Sequence, residues 1–351
     1  HCGAKALMFS VTAVRLGRLG DLVMTLPALS WLESSTEIQL SLICDSSYQG
    51  FFSQLLPSTR VVAAERHGDL DPADLILDLH RVNSSLRLRM GLARTSGAPT
   101  VKVDKQTLLR ATLLRRSPWL QTPQRAMAAA LGGSSKLLSW PERHLLATEQ
   151  VFSRLGVSAP LRPSRVPTLG QVVGLHKGAA PGNTPVLGMV LDAGSDLKRW
   201  SRASFRELAL RWHSSCGGAL RFFAAPSEAT LLEGLGSLPS STCHASSTVL
   251  GLARDLAPCD VVVAGDTGPL HLAGALGCSV VGLFGPTPTD SGFWVWERQG
   301  KLLTAPQWCS PCSMHGSTLC RRSSKHCLED ISVDDVLAAS LQVLGDNRRC
   351  A

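Results

Sequence analysis

Apolar and polar positions repeat one order in both halves of the chain: an apolar run, a glycine-bearing turn, then an apolar stripe at helical spacing. Residues 8–16 read as a strand and 17–20 as a turn, and 21–33 carries Leu22, Leu26, Leu29 and Leu32 on one helical face. A second strand is expected at 38–44, a short helix at 48–56 and a third strand at 74–79, with basic-faced helices near 82–92 and 105–116. Further on, strands are expected at 186–191, 220–224, 260–264 and 279–284. Helices are expected at 201–216 (with Ser201 as N-cap), 227–235, 267–276 and 333–344. Strands alternating with helices predict parallel sheets covered on both faces.

The texture changes between 159 and 185. Pro160, Pro163, Pro167, Pro181 and Pro185 alternate with Gly170, Gly174, Gly178 and Gly182, and no continuous helix survives that composition. It marks a connection, so residues 1–165 form one expected domain, 166–185 the linker and 186–351 the second domain. A chain of 351 residues is comfortable for two such cores. The apolar runs at 261–264 and 280–284 are short and bounded by Asp or Gly, far below the ~18 residues of a membrane span. The opening His1-Cys2-Gly3-Ala4-Lys5 has one positive residue and too short an apolar run for a signal peptide. Strand-like sequence begins near Met8, which is the expected natural start.

Charge sharpens the picture in one place. The net charge is +8, yet Arg81, Arg87, Arg89, Arg94, Lys102, Lys105, Arg110, Arg115, Arg116 and Arg125 are interrupted by one acid, Asp104. Such a face suits an anionic partner, or is simply a solvated surface. Nucleic acid is disfavoured, because base stacking needs interleaved aromatics and the chain has a single Tyr. Eleven cysteines, an odd number, are scattered until residue 309, and Cys44, Cys259 and Cys278 sit in or beside strand-like runs. That usage predicts a reducing compartment.

Chemistry is expected at the turns. Gly17-Arg18-Leu19-Gly20-Asp21 joins the first strand to its helix, and Gly17 and Gly20 allow backbone to approach a phosphate-bearing ligand closely. The turn is not Gly-x-Gly-x-x-Gly, so no dinucleotide fingerprint is present. By position Asp21 caps the helix. A carboxylate there can also take a proton from an attacking hydroxyl. Asp266-Thr267-Gly268-Pro269-Leu270-His271 follows an apolar strand and opens a helix whose first N–H groups suit phosphate oxygens. His271 lies one turn on, either packed in the core or reaching the same ligand. Lys198-Arg199-Trp200 follows a strand, where a cation can neutralise a pyrophosphate or form a plain surface pair. Glu228 ends another strand, where acids accept hydrogen bonds from ribose hydroxyls or favour a helix dipole. Cys309-x2-Cys312-x7-Cys320-x6-Cys327, with His315 and His326 nearby, could hold a structural zinc, form disulfides or stay as free thiols.

In this order the segments resemble glycosyltransferase family 9, the bacterial lipopolysaccharide heptosyltransferases. The opening Arg15-Leu16-Gly17-Arg18-Leu19-Gly20-Asp21-Leu22-Val23-Met24-Thr25-Leu26-Pro27 is similar to that family's first signature. Lys198-Arg199-Trp200, Pro226-x-Glu228 and the stretch from Gly265 to Thr287 match later ones, and the cysteine-rich loop at 309–327 resembles heptosyltransferase-II-like members. The resemblance implies the α/β GT-B fold, two Rossmann-like domains with parallel sheets facing across a cleft. It implies inverting transfer of heptose from ADP-heptose to an anionic, lipid-linked core oligosaccharide. It further implies chemistry without a cofactor, and a cytoplasmic location with peripheral contact at the inner membrane. Carried over by position, Asp21 is the general base, Lys198 serves the donor phosphates and Glu228 the ribose. Asp266, Thr267, Gly268 and His271 form the donor-binding turn, and the basic stretch 81–125 falls on the acceptor side. Two alternatives stay open: a GT-B enzyme using another nucleotide sugar, and a non-catalytic protein binding nucleotide sugars or polyanions.

Overall fold

The computed structural model describes residues 8–80, 83–106, 137–169, 184–313, 316, 319, 320, 322 and 324–350. The expected helix at 105–116 therefore lies outside the described residues. So do most of the linker, the first seven residues, His315, Arg81, Arg110, Arg115, Arg116 and Arg125. The described residues divide into two units, one running to Lys105 and including Leu138–Pro167, the other holding Gln106, Leu137 and the residues from Thr168 onward.

In the first unit β1 (Phe9–Val14) is central, with β2 (Ile38–Cys44) and β3 (Arg60–Ala63) on one side, and β4 (Leu75–Asp78) and β5 (Thr100–Lys102) on the other. All four pairings are parallel, in the order β3-β2-β1-β4-β5. Strands buried on both faces favour apolar side chains throughout, as in β4, whereas β1 carries Ser10 and Thr12 at alternate positions. The expected helix 21–33 is two helices, α1 (Leu19–Val23) and α2 (Leu26–Glu33). Pro27 lacks the N–H that would continue the ladder, and the Thr25 hydroxyl donates back to Leu22 O at 2.6 Å. The unit continues through α3 (Ser46–Leu55), α4 (Asn83–Ser96) and α5 (Trp140–Leu155). α5 packs on α2, where the Trp31 and Phe152 rings lie 5.1 Å apart. It stops at Gly156, whose φ of +67° is the left-handed turn that glycine tolerates best.

The second unit holds β6 (Val186–Val190), α6 (Arg202–Cys216), β7 (Ala219–Phe223), β8 (Ser241–His244), α7 (Val249–Leu256) and β9 (Val261–Gly265). It continues with α8 (Gly268–Ala275), β10 (Ser279–Phe284), β11 (Gly300–Thr304), α9 (His326–Glu329) and α10 (Val333–Cys350). Ser201 caps α6 as expected, its hydroxyl accepting from Ser204 N. The helix expected at 227–235 is instead a 3-10 turn at Pro226–Leu232, kinked at Glu228. The sheet is wholly parallel in the order β8-β7-β6-β9-β10-β11. Its core includes fully buried Trp200, Phe205, Trp212 and Phe222, each contributing roughly 2–3 kcal/mol of apolar burial.

Both sheets thus reverse strand order at a single point, between β1 and β4 and between β6 and β9. Connections leave to opposite faces there, and the carboxyl ends of the strands open a crevice for ligands. The loops after β1, β4, β6 and β9 carry the residues of interest. Among the described residues, no helix is long and apolar enough to cross a membrane.

Candidate active site

The loop after β6 and the turn after β9 meet at Lys198 and Asp266. Lys198 Nζ donates to Asp266 Oδ2 at 2.7 Å, and the Thr287 hydroxyl donates to the same oxygen at 2.9 Å. Burial pushes the Asp266 carboxyl up. The Lys198 charge and the hydrogen bonds from Lys198 and Thr287 outweigh it, and the carboxyl is held below its ordinary range. Close backbone approach makes the meeting possible: a Cβ on Gly265 would stand 2.4 Å from Lys198 O. From the other side a Cβ on Gly316 would stand 2.7 Å from Lys198 Cε, so the cysteine-rich loop lies against the lysine stem.

Thr267 is the N-cap of α8, but its hydroxyl makes no capping bond. Its oxygen is buried and has no hydrogen-bond partner among the described residues. A buried hydroxyl left without a partner costs about 1–3 kcal/mol, so it marks a place for a ligand oxygen. Gly268 and Pro269 form the first turn behind it, and α8 directs its unpaired N–H groups and positive end the same way. His271 is 2% exposed. Its Nε2 lies 3.9 Å from Asp266 Oδ1, and its Nδ1 lies 3.2 Å from the Trp296 indole nitrogen. Lys198, Asp266, Thr267, Gly268 and His271 are therefore brought together. Glu228 joins them indirectly, its carboxylate 3.2 Å from the guanidinium of Arg199, the residue beside Lys198.

In the first unit Asp21 is not the cap expected from its position. Arg18 occupies the N-cap, and Asp21 falls in the first turn of α1 with its side chain turned to Arg15. Arg15 NH2 lies 3.1 Å from Asp21 Oδ1, while its NH1 donates to Leu79 O at 2.9 Å. Arg15 is almost wholly buried, and burial lowers its affinity for the proton, opposed chiefly by Asp21. Gly17 has φ +120°, and its N–H donates to Asp45 Oδ2 at 2.8 Å. Gly20 is buried within α1. His80, at the end of β4, lies against this turn: a Cβ on Gly17 would be 3.4 Å from its Nε2. Burial, then the Arg15 and Lys105 charges, lower His80 to about 4 against the opposing pull of Asp21 and Asp78, so it is neutral near pH 7.

The zinc expected at Cys309, Cys312, Cys320 and Cys327 is not supported. Among the described residues no three His, Cys, Asp or Glu side chains are grouped to hold a metal ion. Among the described residues the four cysteines form no disulfide. Burial, then the nearness of Cys312, Cys309 and Cys320, pushes the Cys327 thiol up to about 11.

A family model described as glycosyltransferase family 9 (heptosyltransferase) matches residues 144–321, half of the chain. The chain belongs to glycosyltransferase family 9. The family-9 match contains Lys198, Glu228, Asp266, Thr267, Gly268 and His271, and begins beyond Asp21. Lipooligosaccharide heptosyltransferase 2 of Campylobacter jejuni is 25% identical over 182 residues, covering 50% of this chain and 51% of that protein. The chain thus spans about half the length of that relative. Lipopolysaccharide heptosyltransferase 1 of Pseudomonas aeruginosa is 27% identical over 325 residues, 86% of this chain and 85% of that protein. Among solved structures, the E. coli heptosyltransferase WaaC with ADP-2-deoxy-2-fluoro heptose has a TM-score of 0.60 at 20% identity. That likeness covers 96% of this chain and 99% of that one, and shows that the family-9 chain has the expected α/β GT-B fold.

Four contributors were not singled out by sequence reasoning. Arg15 left a signal, a charge placed directly at the end of an apolar strand. Thr287 lay within a quoted motif without a role. His80 and Trp296 left none, since their partners Gly17 and His271 lie 63 and 25 residues away in sequence, on different elements.

Proposed function

We propose that this family-9 chain is an inverting heptosyltransferase, moving heptose from ADP-heptose to an anionic lipopolysaccharide-core acceptor at the cytoplasmic face of the inner membrane. The observation that carries the reading is the Lys198–Asp266–Thr287 cluster beside the buried, unpartnered Thr267 hydroxyl at the start of α8. Such a site offers a cation, helix N–H groups and a spare hydroxyl to a diphosphate. The nucleotide and sugar are supported by family membership, and by relatives whose names are heptosyltransferases.

In the proposed reaction the acceptor oxygen forms a bond to the anomeric carbon as that carbon's bond to the diphosphate oxygen breaks. ADP leaves with the electron pair, and a single displacement inverts the centre. Asp21 receives the acceptor hydroxyl proton, with Arg15 holding its other oxygen in place. Lys198 and the α8 N-terminus stabilise charge growing on the leaving diphosphate. Glu228 serves the ribose, Gly17 and Gly20 shape the turn before Asp21, and none of these steps uses a cofactor. Exposed Arg87 and Arg94 on α4 favour an anionic acceptor.

The test is turnover of ADP-heptose on a core acceptor by the wild type, beside a panel of other nucleotide sugars. Loss of turnover in folded Asp21→Asn is expected. Full activity in that variant removes Asp21 as the base. Turnover confined to another donor removes the heptose assignment.

A further inference from the structure

Trp296 is fully buried, yet its indole nitrogen is not left idle. The ring lies against Gly274, where an added Cβ would stand 2.7–2.8 Å from three ring carbons, and Gln299 Nε2 fastens the same turn of α8 through Gly274 O at 2.7 Å. This holds the indole N–H on His271 Nδ1 at 3.2 Å.

An indole N–H only donates, so Nδ1 of His271 must accept. A neutral imidazole with an accepting Nδ1 carries its proton on Nε2. Nε2 is the atom turned towards Asp266 Oδ1, 3.9 Å away. Asp266 and, across that carboxylate, Lys198 are charged groups near the ring, while Phe293 and Trp296 pack on it without charge. Asp266 does not need an imidazolium, because Lys198 and Thr287 already hold its Oδ2.

We infer that Trp296 is a positioning residue that locks His271 as a neutral imidazole with its Nε2–H presented at the diphosphate site. The tautomer rests on the hydrogen bond alone. The ligand it serves rests on the function proposed above. In that role His271 donates a hydrogen bond to donor oxygen or to Asp266, and neither gives nor takes a proton during transfer.

Two exchanges at His271 separate its nitrogens. His271→Asn keeps an oxygen where Nδ1 was and nothing at Nε2, so Trp296 stays paired. His271→Gln places an amide N–H near Nε2 and abandons Trp296. A crossed result is expected. His271→Asn keeps the higher Tm but binds ADP about ten-fold more weakly, and His271→Gln melts lower but binds ADP within about three-fold of wild type. Nitrogen-15 NMR of histidine-labelled wild type, assigned by the signal missing in the His271 variants, should show a protonated Nε2 and an unprotonated Nδ1. In Trp296→Phe that pattern should give way to mixed tautomers. Protonated Nδ1 in the wild type, or an unchanged spectrum in folded Trp296→Phe, overturns the inference. So does an uncrossed pair of His271 variants. If Trp296→Phe does not fold, the wild-type spectrum decides. The spectrum needs no ligand, so failure to turn over ADP-heptose sinks the proposed function and leaves the tautomer standing.

Discussion

Lys198 Nζ lies 2.7 Å from Asp266 Oδ2, with the side chains 10% and 15% exposed. A pair this buried is worth less than the damage done by removing one half of it. Lys198→Met is therefore expected to destabilise the protein by about 3 kcal/mol and to weaken ADP binding at least about ten-fold. The pair also sets an acid limit. Asp266 has a lowered carboxyl in the folded state, so its contribution is complete above the unfolded value of about 3.9 and drains away as pH falls below it. Without Lys198, burial is less opposed, the folded carboxyl sits higher, and this acid loss shrinks or reverses. Urea unfolding across pH 3–6 compares the two proteins.

Thr267→Val separates binding from folding. The hydroxyl has no partner among the described residues, so its replacement is expected to leave stability unchanged or raise it by up to about 1 kcal/mol. ADP binding should nevertheless weaken about ten-fold. Calorimetry of binding and of melting on one preparation reads both. A large fall in Tm would mean the hydroxyl serves the fold.

Asp21 and Arg15 should divide by readout. Asp21→Asn keeps the shape and is expected to lower kcat by about 100- to 10,000-fold with ADP affinity unchanged. Arg15→Met removes a buried charge that also holds Leu79 O, and should lower stability as well as kcat. Steady-state kinetics with urea unfolding distinguishes the two. Equal stability losses in both variants would argue that the pair is structural.

His144 makes the first unit acid-sensitive well above the carboxylate range. It is fully buried on α5 with Nδ1 3.0 Å from Met24 O, and burial followed by the Arg15 and Arg143 charges lowers it to about 3. Below the unfolded value of about 6.5 the unfolded chain binds a proton that the folded chain refuses. Stability should thus be complete above pH 6.5 and fall by at most about 1.4 kcal/mol per pH unit down to about pH 3. His144→Asn, which keeps a donor for Met24 O, is expected to flatten that slope in pH-dependent unfolding.

The central strands β4, β6 and β9 were legible because a parallel strand covered on both faces is written as a nearly continuous apolar run, while β1 alternates its apolar residues with Ser10 and Thr12. The edge strands β3, β5, β8 and β11 were not. They are short or half-covered, and Ser241–His244 carries no apolar run at all. The break between α1 and α2 was visible in Pro27, but the leucine spacing carries straight through it. At the site, the backbone turns were legible from glycine and proline next to strand ends. The partner of each charge was not. Asp266 pairs with Lys198 and Thr287 across 68 and 21 residues, and nothing in a one-dimensional pattern records which loops share a crevice. The cysteine spacing suggested ligands, but spacing does not record whether nearby thiols take up a metal-holding arrangement, and among the described residues none does.

The backbone at Gly265 and the loop at Gly316 close on Lys198 from two sides. A free lysine side chain has up to about 2 kcal/mol of rotamer entropy to lose when an anion fixes it. With its stem against Gly316 and its ammonium tethered to Asp266, this one has surrendered most of that freedom during folding. A diphosphate then meets a cation already aimed, and its affinity need not be spent on ordering the protein.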